Sequence, residues 1–247
     1  MLIPEWTTPN LILYISLASM AFGVGPIEYF GQTMMQYSKF NSSGRIPTRV
    51  GMFILYFFPI LALAFSAHEY IFTAAPIQWI VFAAIFLHFF KRVLESLFLH
   101  RYSGAIHPLT MILITSFYST TAFLIGWLNR TPIPRADAWL WAGMGIYLAG
   151  MIGNFYHHKL LADLRKNSLE YHIPRGGLFE FVICPHYLFE IFIWLGIALL
   201  SRHLAALLIL LFVVSYLTAR SIRTLNWYHK NFKDFPKDRK AILPFVL

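Results

Sequence analysis

A single cysteine, Cys184, stands among 247 residues. No intramolecular disulfide or multi-cysteine zinc or iron–sulfur site can form, and thiol usage gives no argument about compartment. Charge is scarce as well: 13% of residues are charged, against 58% hydrophobic and 18% aromatic, far from the composition of a soluble domain. No HExxH motif occurs. The glycine clusters GVGP at Gly23 and GMGIYLAG at Gly143 lie inside apolar runs and follow no strand, so they read as helix packing and not as a nucleotide fingerprint. The opening MLIPEWTTPN lacks the basic n-region of a signal peptide, so the first apolar run is expected to stay in place. There is no internal repeat, no low-complexity tract, and no aromatic-studded basic face suited to nucleic acid.

What is present is length and apolarity in blocks. Seven segments, near 10–29, 50–73, 77–100, 107–128, 137–160, 180–200 and 204–226, are long enough to cross a hydrocarbon core of about 30 Å. The expectation is an all-α polytopic membrane protein, residues 1–247 forming one unit with seven transmembrane helices in one bundle. Pro132 and Pro134 punctuate the turn before the fifth segment, and Pro174 with Gly176 and Gly177 does so before the sixth. The net charge of +9 falls mostly in short connections. Seven spans put seventeen of the twenty Lys and Arg residues, Lys39 through Lys240, on one side and leave Arg130, Arg135 and Arg202 on the other. By the positive-inside rule the C-terminus is then cytosolic.

The stretch EYHIPRGGLFEFVICPHYLFEI, from Glu170, sets a charged, Pro- and Gly-rich loop against an apolar helix that carries Cys184, His186, Tyr187 and Glu190. Polar groups entering a bilayer need partners, so this density points to a site. Gly176 and Gly177 permit a tight turn, Pro185 is expected to interrupt the helix, and His186 and Glu190 share a face at i,i+4. The third segment ends LHFFKRVLESLFLHRYSG, with Lys91 and Glu95 at i,i+4, His88 adjacent and Arg92 one position round. A snorkelling basic end is the plainer reading. Against it, Glu95 is followed by the apolar run Leu97–Leu99, and a carboxylate at depth costs about 2.5–3.5 kcal/mol, which favours a cavity or an ion pair. The fifth segment ends GNFYHHKLLADLRK, where Asn154, His158 and Arg165 return to one helical face. No carboxylate stands at metal-ligand spacing from His157 and His158, so no metal is expected. Hydrogen-bond donors to a phosphorylated ligand fit better. The basic tail RSIRTLNWYHKNFKDFPKDRKAILPFVL can fold back through Phe232, Phe235 and its apolar end, bringing Arg239 near the site.

These blocks together resemble the steroid 5α-reductase / trans-2-enoyl-CoA reductase family of integral membrane enzymes, from roughly residue 45 onward and most densely in 88–104 and 150–247. The resemblance implies seven helices, NADPH in a cytosol-facing pocket of the later helices, and reduction of a carbon–carbon double bond conjugated to a carbonyl. It carries cofactor contacts to Asn154, Arg165, Tyr171, His172, Glu190, Arg220, Tyr228 and Arg239, with His158, His186 and Arg101 alongside. His172 stands where many relatives have Arg, and His186 where they have Asn. The steroid branch holds its 3-oxo group with a Gln-Glu pair and a Tyr. The corresponding positions here read Tyr56, Phe57 and Phe89, taken as substrate-pocket residues, whereas Glu95 and Tyr187 resemble the enoyl-CoA reductase branch. The implied activity is therefore reduction of a trans-2-enoyl thioester, with a 3-oxo-4-ene steroid as the alternative and isoprenylcysteine-type methyl transfer as a remoter one. Tyr187 would donate to the carbonyl oxygen, where negative charge develops, and Glu95 would orient it or relay protons. The membrane would be the endoplasmic reticulum in a eukaryote or the inner membrane in a bacterium.

Overall fold

The computed structural model describes residues 2–32, 44–131, 136–166 and 170–247. Lys39, Pro132, Pro134 and Arg135 lie outside them. Within the described residues the chain forms seven helices: α1 (Thr8–Tyr29), α2 (Thr48–Ala67), α3 (Pro76–Leu94), α4 (Pro108–Leu128), α5 (Ala138–Asp163), α6 (Pro185–Ser201) and α7 (Leu204–Asn231). The only strands among them are β1 (Ile46–Pro47) and β2 (Ala105–Ile106), a two-residue antiparallel pair that ties the entrance of α2 to the entrance of α4. Five helices, α1, α2, α3 with its extension, α4 and α7, are long and apolar enough to cross a membrane. The protein is an integral membrane protein.

Several boundaries move for physical reasons. Proline lies in the first turn of α1, α3, α4 and α6, where its missing N–H would have had no helical partner. Pro185 therefore starts α6 and does not interrupt it, which shortens this helix to 17 residues. The segment before it is a 3₁₀ turn, Gly177–Glu180, entered through Gly176 and Gly177 at φ 87° and 55°. These left-handed values favour glycine. α3 continues past Leu94 as a π-turn, Glu95–Leu99, closed by the His100 N–H on the Glu95 carbonyl at 2.8 Å. Such turns insert an extra residue into a helix and often mark functional sites.

The helices pack as close pairs, α5 with α6, α2 with α4 and α1 with α7. Small residues allow the approach. A Cβ on Gly150 would meet the Ile193 amide nitrogen at 2.7 Å, and one on Gly196 would meet the Tyr147 backbone at the same distance. Gly25 and Gly143 also sit against neighbouring helices, whereas Gly23, expected to do so, faces open space. Glu28 of α1 is wholly buried and pairs with Arg220 at 2.8 Å and Arg223 at 2.6 Å on α7. After α7 the tail does fold back: Ile183 and Cys184 N–H groups donate to the carbonyls of Lys240 and Ala241 at 2.9 and 3.0 Å, and Phe235 is buried against Tyr228.

Candidate active site

The last turns of α3 place His88, Lys91, Arg92 and Glu95 at i, i+3, i+4 and i+7, one helical face. Facing them are Asn154 and His158 of α5 and His186, Tyr187, Glu190 and Trp194 of α6, held close by the small-residue contact between those two helices. One polar chain joins the three elements. The Glu95 carboxylate, 2% exposed, accepts from Lys91 Nζ at 3.0 Å and from Arg92, and lies 3.0 Å from His158 Nδ1. Arg92 donates its other arm to the Tyr56 hydroxyl at 2.7 Å, and its guanidinium lies over that ring. Lys91 also donates to Asn154 Oδ1, and Asn154 Nδ2 donates to the His186 carbonyl at 2.9 Å and to Glu190 Oε2 at 3.2 Å. The other oxygen of Glu190 lies 3.3 Å from both His88 Nε2 and Trp194 Nε1. Every buried charge thus has a partner, the condition for tolerating it at depth.

Two cavities flank this chain. One has an apolar wall of Ile114, Phe117, Phe212, Val213 and Leu217, and a polar edge of His88, Asn154 and Glu190. The other, larger one is lined by Arg101, Arg165, Tyr171, His172, Tyr228 and Cys184 among others. Tyr56, Arg92, His158 and Tyr187 line both, and so form the junction. In the larger cavity three guanidinium groups, Arg92, Arg101 and Arg165, stand with four imidazoles, His100, His158, His172 and His186, against one carboxylate, Glu170. That donor set suits phosphates. The Arg165 guanidinium lies 4.5 Å from the Tyr171 ring centroid, and Tyr228 donates to the His172 carbonyl at 3.2 Å, adding flat surfaces beside the cations. Burial, reinforced by the neighbouring Tyr56, pushes the Tyr102 phenol on this wall well above its usual range, so it stays protonated. The residues lining the larger cavity therefore fit the charged, phosphate-bearing end of a nucleotide cofactor.

Several expected site residues sit elsewhere. Glu95 lines neither cavity; it stands behind Lys91, Arg92 and His158. Arg220 is taken up by Glu28 in the α1–α7 contact and lines neither cavity. Arg239 is buried and braces the loop below the site, donating to the Pro174 carbonyl at 2.7 Å and to Glu180 at 3.1 Å. Phe57, one position round from Tyr56, stacks on Phe53 at 5.2 Å and lines neither cavity. Phe89 is buried behind the apolar wall against Tyr118 and Trp194. Arg165 lies beyond the end of α5, so it reaches the larger cavity from the following turn and not from a helical stripe. Asn154, His158, Tyr171, His172, His186, Tyr187, Glu190, Tyr228 and Arg101 do line one cavity or the other.

The metal expectation needs correction in its reasoning. Glu95, His100 and His158 bring candidate ligand atoms within 4.8 Å of one another, a grouping that spacing along the chain conceals. Lys91 and Arg92 also pair with that carboxylate. Sequence reasoning treats Arg92 as a bystander and passes over Trp194. The i,i+4 relation of His88 to Arg92, and of Glu190 to Trp194, is the signal that marks both.

Comparison with known proteins agrees with this architecture. The family described as 3-oxo-5-alpha-steroid 4-dehydrogenase matches residues 105–247. The rat 3-oxo-5-alpha-steroid 4-dehydrogenase 1 is 30% identical over 96% of this chain and 95% of its own length. The very-long-chain enoyl-CoA reductase of Dictyostelium discoideum is 33% identical over 65% of this chain and 55% of its own length. The tomato steroid 5-alpha-reductase DET2 is 37% identical over 49% of each. The chain belongs to the steroid 5-alpha-reductase and enoyl-reductase family of oxidoreductases.

Proposed function

We propose that the protein reduces a carbon–carbon double bond conjugated to a carbonyl in a lipid substrate, using NADPH, and that the substrate is a trans-2-enoyl thioester. The observation that carries this reading is the junction of an arginine-rich cavity with an apolar one at Tyr56, Arg92, His158 and Tyr187. NADPH, when bound, supplies the hydride. Arg101, Arg165 and His172 would hold its phosphates, and Asn154 and Glu190 its amide end. Tyr187 donates a hydrogen bond to the carbonyl oxygen as charge develops there and supplies the proton that completes reduction. Arg92, tied to both Tyr56 and Glu95, keeps positive potential at the junction, and Glu95 fixes the orientation of Arg92 and His158. The methyl-transfer alternative gains nothing from this donor set, because a cationic methyl donor is repelled by arginines.

Support for the thioester comes from Glu95 within KRVLESLFLHR and Tyr187 within CPHYLFE, together with the missing 3-oxo-holding set at Tyr56, Phe57 and Phe89. The second reading, a 3-oxo-4-ene steroid, is favoured by the rat 3-oxo-5-alpha-steroid 4-dehydrogenase 1, which aligns over 95% of its own length. We place all seven helices across the membrane with the C-terminus in the cytosol. The test is NADPH oxidation by purified protein offered each substrate separately. Turnover of the thioester, reduced about a hundredfold or more in kcat by Tyr187→Phe with NADPH affinity retained, supports the proposal. Turnover of the steroid alone transfers it to the second reading, and unchanged activity in Tyr187→Phe removes the tyrosine from the chemistry.

A further inference from the structure

His88 lines the apolar cavity, and the mechanism leaves one of its ring nitrogens without an assignment. His88 is 2% exposed and lines that cavity one helical turn from Arg92, which stands at the junction. Its Nε2 lies 3.3 Å from Glu190 Oε1. Its Nδ1 is buried with no hydrogen-bond partner among the described residues. Trp194 Nε1 and Asn154 Nδ2 also donate to Glu190, so this carboxylate serves as an acceptor on every side. A neutral imidazole beside it must carry its proton on Nε2, and Nδ1 is then an acceptor. The Phe89 and Trp194 rings stand edge-on to the imidazole at centroid distances of 4.9 and 5.4 Å and offer Nδ1 nothing to accept from. A buried acceptor left unmatched is costly, and among aliphatic and aromatic neighbours its natural match is a donor carried by whatever occupies the cavity.

We propose that His88 is a specificity-determining residue whose Nδ1 accepts a hydrogen bond from a hydroxyl or amide N–H of the lipid substrate, close to the reacting double bond. The inference rests on the proposed function, because it takes the occupant of the apolar cavity to be the substrate. It narrows the substrate class from any greasy enone to one bearing a donor group about one helical turn from the junction, which is about 5.4 Å. A site built to pair a substrate hydroxyl discriminates strongly against the analogue that lacks it, since the protein's own polar atom is then stranded.

The test uses the full chain in detergent or nanodiscs and a set of conjugated enones identical except for a hydroxyl, a ketone or hydrogen at successive carbons beyond the double bond. Binding is read by tryptophan fluorescence in the presence of NADP⁺, and turnover by NADPH oxidation. One hydroxylated position is expected to bind about tenfold or more tighter than its deoxy parent, corresponding to one good hydrogen bond. That ratio should collapse to near unity in His88→Phe and persist in part in His88→Gln, which keeps an acceptor. His88→Met serves the same comparison if the phenylalanine variant does not fold. The ratio is the readout, because loss of the Glu190 contact lowers binding of parent and hydroxylated ligand alike. Equal binding of parent and every hydroxylated ligand overturns the proposal, as does a ratio that survives in His88→Phe. A preference for the ketone would mean a donor at Nδ1, and a loss confined to NADP⁺ affinity would mean the cofactor amide sits there; either overturns it. Discriminating binding without turnover would remove the proposed reaction and leave this inference standing, while turnover without discrimination does the reverse.

Discussion

At the scale of single residues the site is governed by one carboxylate that touches neither cavity. Glu95 gathers Lys91, Arg92 and His158, and each of these reaches onward, to Asn154 or to the junction. Removing it leaves two partly buried cations without their carboxylate. Glu95→Ala is therefore expected to lower stability by about 3–5 kcal/mol, read as a drop in melting temperature in detergent, with Glu95→Gln milder because it retains hydrogen bonds. If Glu95 organises the site through others, Glu95→Gln should lower kcat while leaving the pH profile of the reaction unchanged; a shifted profile would restore it to the proton path. The sequence made Glu95 conspicuous, since a carboxylate ahead of Leu97–Leu99 demands a reason. It could not say that the partners would enclose it completely, because His158 lies 63 residues away and nothing in the spacing links the two.

At the scale of elements, the contact between α5 and α6 decides whether the site exists. Asn154 reaches Glu190 because Gly150 and Gly196 let the two backbones come together. Gly150→Val is expected to push the helices apart, destabilise by about 1–3 kcal/mol, and weaken NADPH binding measured by fluorescence. Gly145→Ala, on the same helix but facing open space, should leave NADPH binding unchanged and raise the melting temperature slightly, because Ala is the better helix former. The apolar blocks announced seven helices, and helical spacing put Lys91 with Glu95 and His186 with Glu190 on shared faces. What the pattern hid was the end of each element. Pro185, expected as a break within the helix, is its beginning, because the 3₁₀ turn stops at Glu180 and the Ile183 and Cys184 N–H groups are held by the Lys240 and Ala241 carbonyls of the tail. Arg220 illustrates the same limit, since its partner Glu28 is 192 residues distant.

At the scale of the molecule, chemistry and anchoring occupy opposite ends. The ends of α3 and α5 and the start of α6 hold the site. At the far end Gln78 and Asn129 exchange hydrogen bonds, and His203, ahead of α7, lies beside Leu2. Burial lowers the pKa of His203 below the usual imidazole value, partly offset by a hydrogen bond with the Leu128 backbone. The unfolded chain then takes up a proton before the folded one does. This contribution to stability is complete above about pH 6.5 and is lost as the pH falls below it. Thermal melts between pH 7.5 and 5.5 should therefore decline more steeply in wild type than in His203→Gln, and parallel curves would disprove it.

The π-turn at Glu95–Leu99 has a bearing on how the molecule tolerates editing. Deleting one residue from it would restore a regular α-helix and improve local backbone geometry. The same deletion would swing everything downstream by about 100°, carrying Arg101 and Tyr102 off the wall of the larger cavity and pulling Ala105 and Ile106 out of step with Ile46 and Pro47. A shortened variant of this kind should be sturdier as an isolated peptide and useless as a catalyst, so the irregular turn is a spacer whose length cannot be trimmed.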